Sequence, residues 1–435
     1  MAEQEKLTTT AWGRFLKMGA LAGKVGFSLV GEKALGLFLS DDSREMRMAK
    51  SWAKNAEKIA ETLGQLKGGA MKIGQMLSIQ EALLPKELTF VLKSLQNNAP
   101  TISADTMFQT LDADIPHWRT LIKSIDHKPL AAASIGQVHR ATMLDGREVA
   151  VKIQYPKIDE VIFSDLKNLR RLFELILESV MSANLTHLFT EIEARLSEEV
   201  DYRREKTRLE EFRRFYTKNP KVSIPKPVPE LSSQRVLTTE LLLGLSIEEA
   251  RHYPQEKKNE WGILLFQSLV EQLLVFRKLQ SDPNPANYAF KKDSGIILYD
   301  FGSIKELPDW LHQGYMGVVQ IAREGQFEKI ATILASMQIS LKNGDKIPQH
   351  QIDFFYETLS PIFTNKPFRF TKTTEPIQKI VAYNKSHFDE LKNIAIPGDV
   401  LFIDRAFMGL CANLTALEAE AHWGDVLLNA IDARV

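Results

Sequence analysis

Ser281-Asp282-Pro283-Asn284-Pro285-Ala286-Asn287 is followed, thirteen residues after Asn287, by Asp300-Phe301-Gly302. Between them come Tyr288-Ala289-Phe290, the polar turn Lys291-Lys292-Asp293-Ser294-Gly295, and the apolar run Ile296-Ile297-Leu298-Tyr299. Phosphoryl transfer needs such a set. One Asp orients the attacking hydroxyl or water, an Asn five residues on binds a second metal ion, and a later Asp holds the Mg²⁺ that bridges the phosphates. The two apolar runs predict a hairpin that fixes one loop against the other. Asp282 is therefore the expected catalytic residue, and Asn287 and Asp300 are the expected metal ligands. The competing reading of the same residues is a polar turn and a chance Asp-Phe-Gly.

The rest of the composition is compatible with that chemistry. The chain has 435 residues, 44% of them apolar, enough for a substantial core in two or three domains. Lys and Arg number 55 and Asp and Glu 55, so no charge excess points to nucleic acid. The single cysteine, Cys411, excludes an intramolecular disulfide framework, fits a reducing compartment, and is expected as a small buried apolar residue. The first residues do not form a secretory signal. The most apolar stretch, Trp261 to Phe276, contains Glu271 and two glutamines and is too short to span a bilayer, so it is expected as a buried helix.

Upstream of the opening stretch, the period changes near Leu121. Ala131-Ala132-Ala133-Ser134-Ile135-Gly136 leads into the strand Gln137 to Leu144, a turn at Asp145-Gly146, and the return strand Glu148 to Gln154. Lys152 ends a Val-Ala-Val run, the place of the strand lysine that contacts α and β phosphates in kinases. The loop before the first strand would cover the phosphates. It is rich in alanine where kinases use glycine, so it should be stiffer, with altered phosphate contacts. His139 is expected as a surface or strand histidine. Ile158 to Met181 predicts an amphipathic helix and His187 to Tyr216 a second, with Leu188, Ile192, Leu196 and Val200 in one row. Glu199 borders that row and is assigned as the carboxylate that holds Lys152. Asp201 would face elsewhere and take another partner. Arg235 to Thr239 predicts a strand, and Glu240 to Gly244 leaves it as a hinge whose backbone at Glu240 and Leu242 would meet the adenine. Asp309 to Met337 and Gln351 to Ile362 are expected helices.

Near the N-terminus, Gly19 and Gly23 are four residues apart. They allow close helix approach in a membrane or a homodimer, or packing within the protein itself. Lys72-Ile73-Gly74-Gln75 follows a stretch dense in glycine and alanine, where another backbone or a ligand comes close. Local chemistry favours a Lys72 that snorkels to solvent.

Six motifs in order resemble the UbiB/ADCK-like atypical kinases, including the mitochondrial members tied to coenzyme Q (ubiquinone) biosynthesis. They are Lys72 to Gln75 (K-x-G-Q), Ala131 to Gln137, Val149 to Lys152, Glu199-Val200-Asp201 (E-x-D), Asp282 to Asn287 and Asp300 to Gly302. Gln280, two residues before Asp282, resembles the coenzyme Q branch more than the bacterial form, which carries His there; that form's two C-terminal membrane helices are not evident. The resemblance implies an α+β, bilobal protein-kinase-like fold. Its parts would be an N-terminal helical extension (residues 1–105), a small lobe (106–243) and a mainly helical large lobe (244–435). It turns Lys72 and Gln75 toward the nucleotide and makes Asp201 a partner for the extension. It implies ATP or ADP with Mg²⁺, a small or lipid-like phosphate acceptor or plain ATP hydrolysis, and ubiquinone-biosynthesis proteins and a lipid surface as partners. The expected location is cytoplasmic, peripheral at the inner face of a membrane. A nucleotide-gated scaffold without turnover is the rival. An ordinary Ser/Thr protein kinase is disfavoured by the Ala-rich loop and by the lack of an Ala-Pro-Glu signature after Asp300.

Overall fold

The structure, a computed structural model, describes residues 102–177, 185–282, 284–324, 326–363, 366–373 and 375–432. Lys72, Gln75 and the rest of the K-x-G-Q extension lie outside the described residues. The chain forms two compact units: one runs to Arg204 and takes in Pro227–Leu241, the other comprises Glu205–Lys226 and everything from Leu242.

The first unit is built on a five-stranded antiparallel sheet. Its strands are β1 (Ile122–Ile125), β2 (Ala131–Ala133), β3 (Gly136–Met143), β4 (Glu148–Gln154) and β6 (Val236–Glu240), in the order β1-β3-β4-β6 with β2 also on β3. Alternation decides which side chains are buried. Val149, Val151 and Ile153 are buried, so Ala150 and Lys152 take the opposite face of β4. Helix α1 (Ala104–Asp114) adds Met107 and Leu111 to the same core. The turn between β3 and β4 needs a left-handed backbone, and Gly146 supplies it at φ +88°. His139 is a strand residue, as expected, but a fully buried one. Its Nδ1 lies 2.8 Å from the Asp126 carbonyl, its ring packs edge-on to Phe108, and burial lowers its pKa.

The expected helix from His187 to Tyr216 is two helices, α3 (Leu185–Glu199) and α4 (Tyr202–Phe215), after α2 (Ile158–Leu177). Asp201 causes the break. Its carboxylate accepts from the Arg203 backbone N at 3.1 Å, an N-terminal cap that starts a new helix and resets its phase.

The second unit holds a three-stranded sheet in which β5 (Val222–Ser223) runs parallel to β9 (Gly295–Leu298), and β9 pairs antiparallel with β8 (Tyr288–Lys291). The expected hairpin is thus present. A short ladder joins β7 (Lys278–Gln280) to β10 (Ile304–Glu306). The Trp261–Phe276 stretch is a buried helix, as expected: α5 (Gln255–Val270) followed by a π-helical turn, Glu271–Phe276. The Asp309–Met337 helix is broken into α6 (Asp309–Glu324) and α7 (Ile330–Ser336), with a 3-10 turn at Phe327–Lys329. Further on come α8 (Gln349–Leu359), α9 (Glu375–Ser386), α10 (Gly398–Leu417) and α11 (Trp423–Asp432). Among the described residues α10 alone is long and apolar enough to cross a membrane, and half of its apolar window is buried inside the protein. Cys411 on α10 is buried as expected, which pushes its thiol up to about 12.

Candidate functional site

In the first unit the Ala-rich segment is a hairpin rather than a free loop. Ala131 pairs with Val138, Ala132 with Gln137 and Ala133 with Gly136, leaving Ser134 and Ile135 at the tip. None of residues 131–136 takes a positive φ, so the backbone of Ala131, Ala132 and Ala133 makes no demand for glycine. The one glycine answers a different need. A Cβ on Gly136 would stand 2.1 Å from the Ile153 carbonyl oxygen, because β3 lies unusually close to β4 there. Gly136→Ala is expected to force the strands apart and cost about 3 kcal/mol of stability, read from urea unfolding.

Lys152 is half-buried on β4, and its Nζ lies 5.0 Å from the Tyr202 ring centroid, within cation–π range. Glu199, its expected carboxylate, is the half-buried last residue of α3. Asp201 takes Arg203 as its partner, with Nε at 2.8 Å, and that hydrogen bond holds its carboxyl below the usual range. Glu240 pairs with Val149 through the backbone and exposes its side chain.

In the second unit the residues of the opening stretch come together. Asn287 is buried, and its Nδ2 donates to Asp282 Oδ2 at 3.1 Å. Its carbonyl accepts from Tyr299 N at 3.0 Å, so the hairpin carries Asp300 into place one residue later. Asp300 Oδ1 accepts from Gly302 N at 2.8 Å. Phe301 is fully buried against Phe212 at 4.7 Å between centroids, which anchors the Asp-Phe-Gly turn. Ser281 and Ser303 join through their hydroxyls at 2.9 Å. Burial, together with the charges of Asp282 and Asp300, pushes the Tyr288 phenol upward. Leu242, expected to offer its backbone to adenine, has its carbonyl accepting from the Tyr299 hydroxyl at 2.9 Å.

Three residues of this unit have contacts that the sequence reading did not assign. Gln280 is buried; its Nε2 donates to the Asp300 carbonyl and its backbone N to Gln272 Oε1, so it ties the two loops together. Arg405 on α10 approaches Asp282 Oδ1 at 3.7 Å. Glu205 on α4 is 5% exposed, and a Cβ on Gly302 would lie 3.8 Å from its Oε2 and 3.2 Å from Asp300 Oδ1. The signal for Glu205 was available: Tyr202, Glu205, Leu209, Phe212 and Tyr216 are all buried and spaced as one helical stripe, with a single acid in it. Glu205→Gln is expected to lower nucleotide turnover about 100-fold, because it alters a buried acid that faces Gly302 of the Asp-Phe-Gly turn. A steady-state assay of the variant checks this.

Hard oxygen donors suit Mg²⁺, which takes one or two protein ligands and fills the rest of its shell with phosphate and water. The pair fits that demand. Asn287 spends its Nδ2 on Asp282 and so has Oδ1 as its donor, and Asp300 supplies a carboxylate. Among the described residues no group of three or more His, Cys, Asp or Glu could hold a metal by itself.

A β-sheet unit carrying a strand lysine, with a helical unit carrying paired Asp loops, defines the kinase-like class. A family model described as the ABC1 atypical kinase-like domain matches residues 94–334, and the chain belongs to that family. The mitochondrial atypical kinase COQ8B of Danio rerio is 33% identical over 332 residues, 74% of this chain and 53% of its own length. The mitochondrial atypical kinase COQ8 of Saccharomyces cerevisiae is 30% identical over 335 residues, 75% of this chain and 66% of its own length. The chain thus spans about half to two-thirds of the curated relatives it matches. The solved structure of Rv3197 from Mycobacterium tuberculosis, a complex with erythromycin, aligns with a TM-score of 0.64 at 26% identity, over 90% of this chain and 98% of that one.

Proposed function

We propose that this protein binds a magnesium nucleotide and transfers or hydrolyses its terminal phosphoryl group in support of ubiquinone biosynthesis. The observation that carries the reading is the tie between Asp282, Asn287 and the strand that delivers Asp300. Lys152 would bind the α and β phosphates, the hairpin Ala131, Ala132, Ala133 and Ser134 would cover them, and the backbone at Glu240 and Leu242 would meet the base. Asn287 and Asp300 would hold Mg²⁺, which supplies charge neutralisation on the phosphate oxygens when bound. Asp282 accepts the proton of the attacking hydroxyl or water as its oxygen bonds to the γ-phosphorus. The bond to the bridging oxygen breaks, and ADP leaves with that electron pair. In this reading Glu205 supports the metal side of the site, Glu199 would hold Lys152, and Lys72 and Gln75 face the nucleotide.

The acceptor is proposed to be small or lipid-like. Residues 303–308 alone separate Gly302 from the Asp309 start of α6, and they include β10, which leaves no long segment to form a protein-substrate groove. The coenzyme Q assignment draws on the COQ8 relatives and on the motif set. Those relatives are mitochondrial by name, so the location we propose is a membrane face beside ubiquinone-biosynthesis proteins rather than the cytoplasm at large. The test is magnesium-dependent turnover of ATP by the full chain, with and without lipid vesicles, together with a metabolite profile of a deletion strain. Turnover with accumulation of ubiquinone precursors is expected. A normal ubiquinone profile in the deletion strain overturns the pathway, and absent turnover overturns the chemistry.

A further inference from the structure

Residues 400–417 of α10 carry two charged side chains, Asp404 and Arg405, in an otherwise uncharged run. Arg405 points its Nη2 to within 3.7 Å of Asp282 Oδ1, with both side chains 38% exposed. The other carboxylate oxygen of Asp282 is held by Asn287 at 3.1 Å. The loop itself, residues 281–287, contains no basic residue. Asp282 is thus gripped from two directions, by its own loop and by a helix more than a hundred residues further along the chain.

We infer that Arg405 is a positioning residue for Asp282: the C-terminal helix α10 completes the catalytic loop by fixing the orientation of its carboxylate. The inference rests on the proposed function and adds a residue to it. It also carries the working site past residue 334, where the family match ends. Geometry selects arginine. A planar guanidinium with five donors can hold one carboxylate oxygen from the side and keep the second turned to Asn287, whereas a lysine ammonium is a point charge on a flexible stem. At 3.7 Å the contact is an ion pair rather than a tight hydrogen bond, so it steers the carboxylate without consuming the lone pair that receives the proton.

The experiment compares full-length wild type, Arg405→Gln and Arg405→Lys. Steady-state ATP turnover is measured beside the equilibrium affinity for Mg-ADP, with thermal melting to register folding. A misplaced base slows the chemical step and leaves nucleotide binding alone. Arg405→Gln is expected to lower kcat about 30-fold while KM for ATP and Kd for ADP stay within about twofold. Arg405→Lys, which keeps the charge and loses the fork, is expected to fall between Arg405→Gln and wild type. A kcat for Arg405→Gln within about threefold of wild type overturns the inference, as does a fall in kcat matched by an equal fall in ADP affinity. If Arg405→Gln does not fold, Arg405→Lys decides by the same criteria. A wild type that turns over normally while the variants match it overturns this inference alone; a wild type without turnover overturns the proposed function and the inference with it.

Discussion

Asp300→Asn is expected to lower magnesium-dependent ATP turnover about 1000-fold and to abolish the magnesium dependence of nucleotide affinity. The substitution changes one atom's chemistry and almost nothing else. Asn keeps the shape of Asp, and its oxygen can still accept from Gly302 N, the 2.8 Å bond that orients the native carboxylate. Phe301 stays buried against Phe212, so the turn keeps its course. The second carboxylate oxygen is replaced by an amide NH₂. That group is a donor with no negative charge, and it turns the wrong sign toward a cation. Titration of Mg²⁺ against a fixed nucleotide concentration, read by calorimetry, checks the claim directly. Binding that remains as magnesium-dependent as in the wild type removes Asp300 from the metal site and the proposed chemistry with it.

The parts of this arrangement that could be read in the sequence are the ones whose signals are local. The β3–β4 hairpin announces itself by Asp145-Gly146 between two alternating runs, and Gly146 does adopt the left-handed conformation that such a turn needs. The β8–β9 hairpin is legible for the same reason, as is the burial of the Trp261–Phe276 helix. The division between α3 and α4 was missed because the row Ile192, Leu196, Val200 is buried as expected and nothing in its spacing marks an end. An N-terminal cap at Asp201 restarts the period, so a helix face counted through that point overlooks Glu205. The Ala-rich segment was read as a stiffened loop rather than a strand because alanine was weighed only against glycine's freedom at positive φ. Pairing with β3 removes any need for such angles. Arg405 could not have been placed at all: its contact with Asp282 depends on the packing of α10 in the second unit, and no pattern within either segment encodes it. The fold class was therefore legible from short-range patterns and motif order, whereas the groups that steer the motif residues depend on tertiary contacts.

Asp282→Asn separates the enzyme from the scaffold and is expected to lower turnover about 1000-fold while nucleotide affinity holds within about twofold. The reasoning starts from what the carboxylate touches. Asn287 Nδ2 donates to Oδ2 and Asn284 N approaches Oδ1 at 3.4 Å, so the carboxylate is held within its own loop and belongs to neither of the two metal-ligand positions. An asparagine there can keep one of those bonds and the packing around it, but it cannot accept a proton at neutral pH. Binding should therefore survive and chemistry should not. The same variant introduced into a ubiquinone-deficient cell then has two informative results. If ubiquinone stays depleted although the variant binds nucleotide and is present at normal abundance, phosphoryl transfer or hydrolysis is the function. If ubiquinone recovers fully, nucleotide occupancy alone suffices, and Asp282 and its neighbours serve a switch. The first result is the expected one. A protein that used the nucleotide only to change shape would need the phosphate and metal contacts of Lys152, Asn287 and Asp300, but it would have no use for a carboxylate held in place by its loop on one side and a distant helix on the other.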